Sequence, residues 1–161
     1  MANINDVAAY IIDSLGAPGT DPMKLQKLAY FAQGWSLALA NQKLFDDDFE
    51  ARPHGPVAPA LLIEPEPEGL LKEWPAGNKG GLTPVEKAVV DAVVRSYGGL
   101  GGWQLLQKTH EPDTPWSQVR HNEGLEPDDP CNVVILKEDI QKYFRAKLIP
   151  VREDSGLPEA A

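Results

Sequence analysis

The chain has 161 residues, a single cysteine, and 24 acidic against 15 basic side chains, for a net charge of -9. One domain is the default at this length, with a core of its own that buries about two-thirds of the surface exposed by the unfolded chain. The charge repels phosphate backbones and anionic lipid, which disfavours direct binding to nucleic acid or membrane, while a lone Cys131 excludes an internal disulfide and a cysteine-based zinc site; with no basic signal-peptide region, the expectation is a cytoplasmic protein.

Residues 3 to 15 read as an amphipathic helix, with Asn3 as cap, Asp6 at the third helical position, and Ile4, Val7, Ala8, Ile11, Ile12 and Leu15 on one stripe. Gly16 and Pro18 end it. A short linker then leads to the most apolar helix of the chain, from Pro22 towards Asn41, with Thr20 or Asp21 as its cap. Leu25, Leu28, Ala32, Trp35 and Leu39 recur at spacings of three and four, and Met23, Tyr30, Phe31, Gly34 and Leu37 fill the remaining circumference. Lys24, Gln26, Lys27 and Gln33 interrupt it too often for a membrane span, so it reads as the central helix of a soluble core. Gly34 beside Trp35 suggests close approach of another backbone.

Phe49 to Arg52 reads as a short strand before Pro53, with a turn at Gly55-Pro56, and Pro59 opens a brief helix through Ile63 that must stop by Pro65. Residues 64 to 81 form one elaborated loop: Glu64 to Gly69 is too charged and proline-rich to pack, Ala76 to Gly81 is a flexible connector, and Leu70, Leu71 and Trp74 pin a turn between them. Thr83-Pro84-Val85-Glu86 is a capping box, opening a helix whose Val85, Ala88, Val89, Ala92, Val93 and Tyr97 are expected to face the core. Trp103 to Thr109 supports a further helix and Pro115 starts another towards His121. A polar loop from Asn122 to Pro130 leads to a brief strand at Val133 to Leu136, a helix from Lys137 to Lys147, and a polar tail over 152 to 161. The expected fold is therefore mainly α: a single helical domain over 1 to 151 around a buried central helix, with at most a minor pairing of the Glu50 and Val133 strands.

Enzyme signatures are missing. The chain has no glycine-rich phosphate loop, no Gly-x-Ser-x-Gly elbow and no His-Glu-x-x-His zinc helix. His54 beside Asp46, Asp47, Asp48 and Glu50 has the chemistry of a divalent-cation site, the basis for an alternative reading as a metal-dependent hydrolase; against it, three consecutive aspartates cannot all face one ion. The segment from Asp46 to Glu73 holds eight acids against Arg52 and Lys72, which is six of the nine excess negative charges. It is either a solvated surface or a docking face for a basic partner. An operator-binding regulator would need a Lys/Arg-rich recognition helix, and none is present.

Five blocks, MKLQKLAYFAQGWSLA, LFDDDFEARPHGPVAPAL, LTPVEKAVVDAVVRSYG, LLQKTHEPDTPW and IQKYF, together resemble the Panacea domain of small prokaryotic and phage proteins. The family often has Trp-Arg or Trp-Lys before the His-Gly-Pro turn, where this chain has Arg52-Pro53, and often Tyr after the next proline, where it has Ala60-Leu61-Leu62. The resemblance implies an antitoxin of a two-gene toxin-antitoxin module, with no catalysis and no cofactor, whose partner is a cognate toxin protein; the group includes the SocA-type antitoxin, an adaptor that delivers its toxin to the ClpXP protease. A phage or host regulatory interaction protein is the non-catalytic alternative. The matching positions His54, Gly55, Pro56, Thr109, His110, Pro115 and Trp116, with Arg52 and the acidic Asp46, Asp47 and Asp48, are the candidates for partner contact. The competing reading of the motif positions is that they build the fold, glycine and proline setting a turn, histidine and threonine satisfying backbone groups, and tryptophan filling core.

A central helix enclosed on all sides should dominate stability. Leu28→Ala is expected to cost about 2 to 5 kcal/mol, as large-to-small core changes do; a denaturation midpoint left in place would show that the helix is not central.

Overall fold

A computed structural model describes residues 1–149, so the expected polar tail lies outside the described residues. Helix α1 spans Ile4–Leu15, with the Asn3 side chain accepting the Asn5 amide at 2.8 Å, and buries Ile4, Val7, Ala8, Ile11 and Ile12. Helix α2, Pro22–Trp35, starts on Asp21, whose carboxylate accepts the Lys24 amide at 2.8 Å, and proline at the first helical position loses no hydrogen bond there. Leu25, Leu28, Ala29 and Ala32 are fully enclosed. The other elements surround α2: α1, α3 (Pro84–Tyr97), α4 (Gly102–Thr109) and α6 (Lys137–Leu148) all pack on it. The fold is mainly α, around this helix.

Past Trp35 the helix does not keep its pitch. Ser36–Ala40 is a π-turn, and Asn41 closes it in the left-handed conformation (φ 56°). Each π hydrogen bond spans one residue more than in an α-helix and rotates the following residues. For that reason the spacing from Leu25 to Trp35 does not extend to Leu39, which is 51 % exposed, while Leu37 and Ala38 are buried; Trp35 itself is half-buried, its ring edge-on to Tyr97 at 5.8 Å. Gly34 does face a close neighbour, but an aromatic ring and not a backbone: a Cβ built there would lie 2.3 Å from Phe144 on α6.

A three-stranded antiparallel sheet of order β2-β1-β3 lies beside the helices. Strand β1 (Phe49–Arg52) pairs with β3 (Val134–Ile135), as expected, and also with a strand not expected, β2 (Gly55–Val57). Arg52 pairs with Gly55, so the turn falls on Pro53-His54 rather than Gly55-Pro56. The residues after β2 make only one short turn of 3-10 helix, Pro59–Leu61. Helix α5 is Pro115–Asn122, capped by Thr114.

Two further expectations need correction. The core face of α3 is carried by Glu86, Val90 and Val93, with Val85 and Ala88 exposed, because the capping-box glutamate folds back to accept the Thr83 amide at 2.8 Å and takes the inward position of the first turn. The segment 76–81 is docked and not a free connector: the Asn78 amide donates to Asp6 at 2.8 Å, and a Cβ on Gly77 would meet the Asn5 carbonyl oxygen at 1.9 Å. Trp74 is buried, its indole N–H donating to Asn5 at 3.0 Å, and Leu71 exchanges backbone hydrogen bonds with Thr20 at 2.7 and 2.9 Å. Leu70 stays exposed.

The Gly34–Phe144 contact makes a specific expectation. Gly34→Ala should destabilise by about 1 to 3 kcal/mol through overpacking, and the same change made in a Phe144→Leu background should cost less, measured as the coupling energy of a double-mutant cycle.

Candidate functional site

The polar residues that interrupt α2 are its most consequential. Gln33 is 1 % exposed; its amide nitrogen donates to the Phe45 carbonyl at 2.7 Å, and its oxygen accepts the Leu44 amide at 2.7 Å. Two turns earlier Gln26 makes the same two-way clasp on Ala58, at 3.1 and 2.8 Å. Between them, Lys27 is 1 % exposed and donates to the Pro56 carbonyl at 3.2 Å. A buried polar group left without a partner costs about 1 to 3 kcal/mol, so these three side chains fix where the segment from Leu44 to Ala58 runs.

Lys27 passes beneath the Gly55 backbone. A Cβ there would lie 2.7 Å from the lysine Cε and 3.0 Å from the Thr109 hydroxyl, and Gly55 has φ +99°, a conformation that already favours glycine. This explains the glycine of the His-Gly-Pro motif by space as well as by backbone angle. Burial pushes the Lys27 ammonium down to about 7, with Asp21 opposing the shift. Next to it burial, reinforced by Lys27, Arg120 and His54, lowers His110 to about 4, which keeps its imidazole neutral near pH 7.

The imidazole of His110 stacks on Trp116 with ring centres 3.7 Å apart and planes within 7°. Trp116 is buried and its indole N–H donates to the Arg52 carbonyl at 2.7 Å; the Arg52 side chain turns to Glu50 at 2.7 Å. Thr109 donates to Leu106 at 2.7 Å and its carbonyl accepts the Thr114 hydroxyl at 2.8 Å, which joins the end of α4 to the cap of α5. Pro115 and Pro56 are buried and His54 is exposed at the hairpin tip. The structure thus gathers Arg52, His54, Gly55, Pro56, Thr109, His110, Pro115 and Trp116 into one layer between the β1–β2 hairpin and helices α2, α4 and α5.

Asp46, Asp47 and Asp48 lie apart from this layer. Asp46 pairs with Lys43 at 2.7 Å, a contact that lowers its carboxyl below the usual range, and Asp48 pairs with Lys137 at 2.5 Å. Among the described residues no three His, Cys, Asp or Glu side chains are placed to hold one metal ion. A cavity of about 200 Å³ opens where Lys27 and His54 meet the arm Leu61–Pro67.

Several residues of this layer are unexpected. Arg120 is 4 % exposed, lies over the Trp116 ring at 5.4 Å, and donates to the carbonyls of Ala51 at 2.8 Å and of Glu126 and Asp129 at 2.8 and 2.9 Å. It ties the polar loop 122–130 to β1. An arginine on a short polar helix carries no signal of burial, whereas Gln26, Lys27 and Gln33, inside an otherwise apolar helix, do: a polar group at a position that must be enclosed needs a partner.

The depressed ammonium of Lys27 gives stability a pH dependence. Its folded value of about 7 lies below the unfolded 10.5, so between these the unfolded chain holds a proton that the folded one has lost. This contribution is fully present above pH 10.5 and is lost as pH falls to 7. Lys27→Met should therefore gain stability relative to the parent at pH 6.5, and that advantage should shrink to less than half at pH 9, in paired urea titrations; a difference independent of pH would mean that the amine stays charged when buried.

No curated protein and no solved structure matches the chain. The family model for the antitoxin SocA-like Panacea domain matches residues 25–117, more than half of the sequence and the same stretch that holds α2, the hairpin, the arm and the start of α5. The chain belongs to the SocA-like Panacea-domain antitoxin family.

Proposed function

We propose that this protein is the antitoxin of a two-gene module, that it binds and neutralises a cognate toxin protein in the cytoplasm, and that it does so as an adaptor delivering the toxin to a ClpXP-type protease. The observation that carries the reading is family membership across the residues that build the site. Neutralisation by binding requires a preformed surface with a few anchors and an electrostatic guide, and no reacting group. The hairpin and α4–α5 layer is held by hydrogen bonds to buried side chains, which supports a surface organised before the toxin arrives. The excess of acids between Asp46 and Glu73 supports electrostatic guidance of a basic partner. Exposed His54 at the hairpin tip and the neighbouring arm are the candidate contacts.

An adaptor must outlast its cargo. Antitoxins that are themselves consumed carry long disordered wrapping segments, whereas residues 1–149 here are dominated by capped helices and docked loops. Two measurements test the reading. The product of the adjacent gene should co-purify with this chain, and in a reconstitution with ClpXP and ATP it should disappear while this chain persists. Absence of a complex would overturn the antitoxin reading; a complex in which the toxin survives, or in which this chain is degraded first, would overturn the adaptor role alone.

A further inference from the structure

The cavity beside Lys27 has the chemistry of a socket for one side chain. At about 200 Å³ it falls below the roughly 300 Å³ at which small-molecule and cofactor sites begin. Met23, Val57, Leu61 and Leu62 supply apolar wall, and Glu64 and Glu66 stand along it. Leu62 is 43 % exposed, an apolar lip facing outwards.

The ion pairs of the fold direct attention here. Of the eight acids between Asp46 and Glu73, Asp46, Asp48 and Glu50 are paired with Lys43, Lys137 and Arg52. Among the described residues Asp47, Glu64, Glu66, Glu68 and Glu73 have no ion-pair partner, and the four glutamates sit on the arm that borders the cavity or its continuation. The charge left available to a partner is thus concentrated away from the aspartate triplet and around an apolar pocket. Long basic side chains suit this combination, since they bury their methylenes along apolar surface and keep the charged head at the rim.

Resting on the toxin-binding reading, we propose that this cavity receives an arginine or lysine side chain of the partner protein, its stem against Met23, Val57, Leu61 and Leu62 and its cationic head on the carboxylates of Glu64 and Glu66. Lys27, on the inner wall, does not oppose such a guest as a full charge: its nitrogen is turned to the Pro56 carbonyl, and burial lowers its ammonium to about 7. His54 is the remaining titratable group of the wall, beside Lys27, Glu64 and Glu66, and lies at its exposed side.

The first test needs no toxin. The chain has two methionines, Met1 and Met23, and only Met23 lines the cavity, so methyl-labelled methionine gives one reporter and one internal control by NMR. N-acetyl-arginine methylamide at millimolar concentration should shift the Met23 methyl signal and leave Met1 in place, and the shift should vanish in Glu64→Gln/Glu66→Gln. An equal response to N-acetyl-norleucine methylamide, a stronger one to N-acetyl-glutamate methylamide, or no response at all would each overturn the basic-anchor assignment, in favour of a merely apolar pocket, an anion site on Lys27, or no site. The second test uses the adjacent-gene product. If it binds the parent protein, Glu64→Gln/Glu66→Gln should weaken binding about fivefold to tenfold at low salt, as two rim pairs of up to about 1 kcal/mol do, and Asp46→Asn/Asp48→Asn should change it less. Equal binding by the arm variant would overturn the socket with the antitoxin reading intact, and failure of the parent to bind would overturn the antitoxin reading with the NMR result standing by itself.

Discussion

Three buried polar side chains on one helix set the course of the chain that follows it. Gln26, Lys27 and Gln33 leave water when α2 is enclosed, and each recovers hydrogen bonds from backbone that comes later: Ala58, Pro56, and Leu44 with Phe45. The two glutamines use both ends of their amides and so behave like single steps of a sheet ladder projected from a helix. Apolar packing alone specifies no register, because a leucine is satisfied by many neighbours; a glutamine that must both give and receive within 3.1 Å is satisfied by few. The hairpin is placed by these clasps, and the layer of Thr109, His110, Trp116 and Arg120 is then built against it.

The same arrangement divides what sequence reveals from what it conceals. The periodicity of α1 and α2, the caps at Asn3, Thr83 and Asp21, and the break at Gly16 depend on residues within a few positions of one another, and they occur where local chemistry puts them. Strand β2 was hidden because a three-residue strand containing proline has no alternation to read; it exists because β1 and the Lys27 hydrogen bond hold it. The turned-out Leu39 follows from a π-turn that shifts the phase of what comes after it, whereas α3 is a regular helix in which the capping glutamate occupies the inward position of the first turn. Of the candidate contact residues, those of the His-Gly-Pro and Thr-His/Pro-Trp motifs do come together across 50 residues of chain, whereas the aspartate triplet stands elsewhere with two of its members paired. Proximity in sequence grouped the triplet with His54. The register of β1 separates them.

Aromatic packing closes the C-terminal end of α2. Phe144 fills the space that Gly34 leaves open, and its ring meets Tyr30, Phe31 and Tyr143 edge-on at 5.1 to 5.9 Å, the geometry in which a positive ring edge meets a negative ring face. The last helix is thereby keyed into the central one by a single ring, so the core incorporates chain from nearly the whole described length. The acidic arm, by contrast, contributes little to that core between Leu62 and Leu70, where most side chains are exposed.

That arm is nonetheless anchored on both sides, and this changes what a cut in it would do. On its far side Leu71 is bonded to Thr20, Trp74 to Asn5 and Asn78 to Asp6; on its near side Ala58 is clasped by Gln26. Cleavage of one peptide bond between Glu64 and Gly69 would sever the covalent chain without severing the fold, because the N-terminal piece holds α1 and α2 while the C-terminal piece holds the helices packed on them. The two fragments would remain one particle. A molecule of this design, nicked at this exposed loop, would still keep its helices and its hairpin assembled.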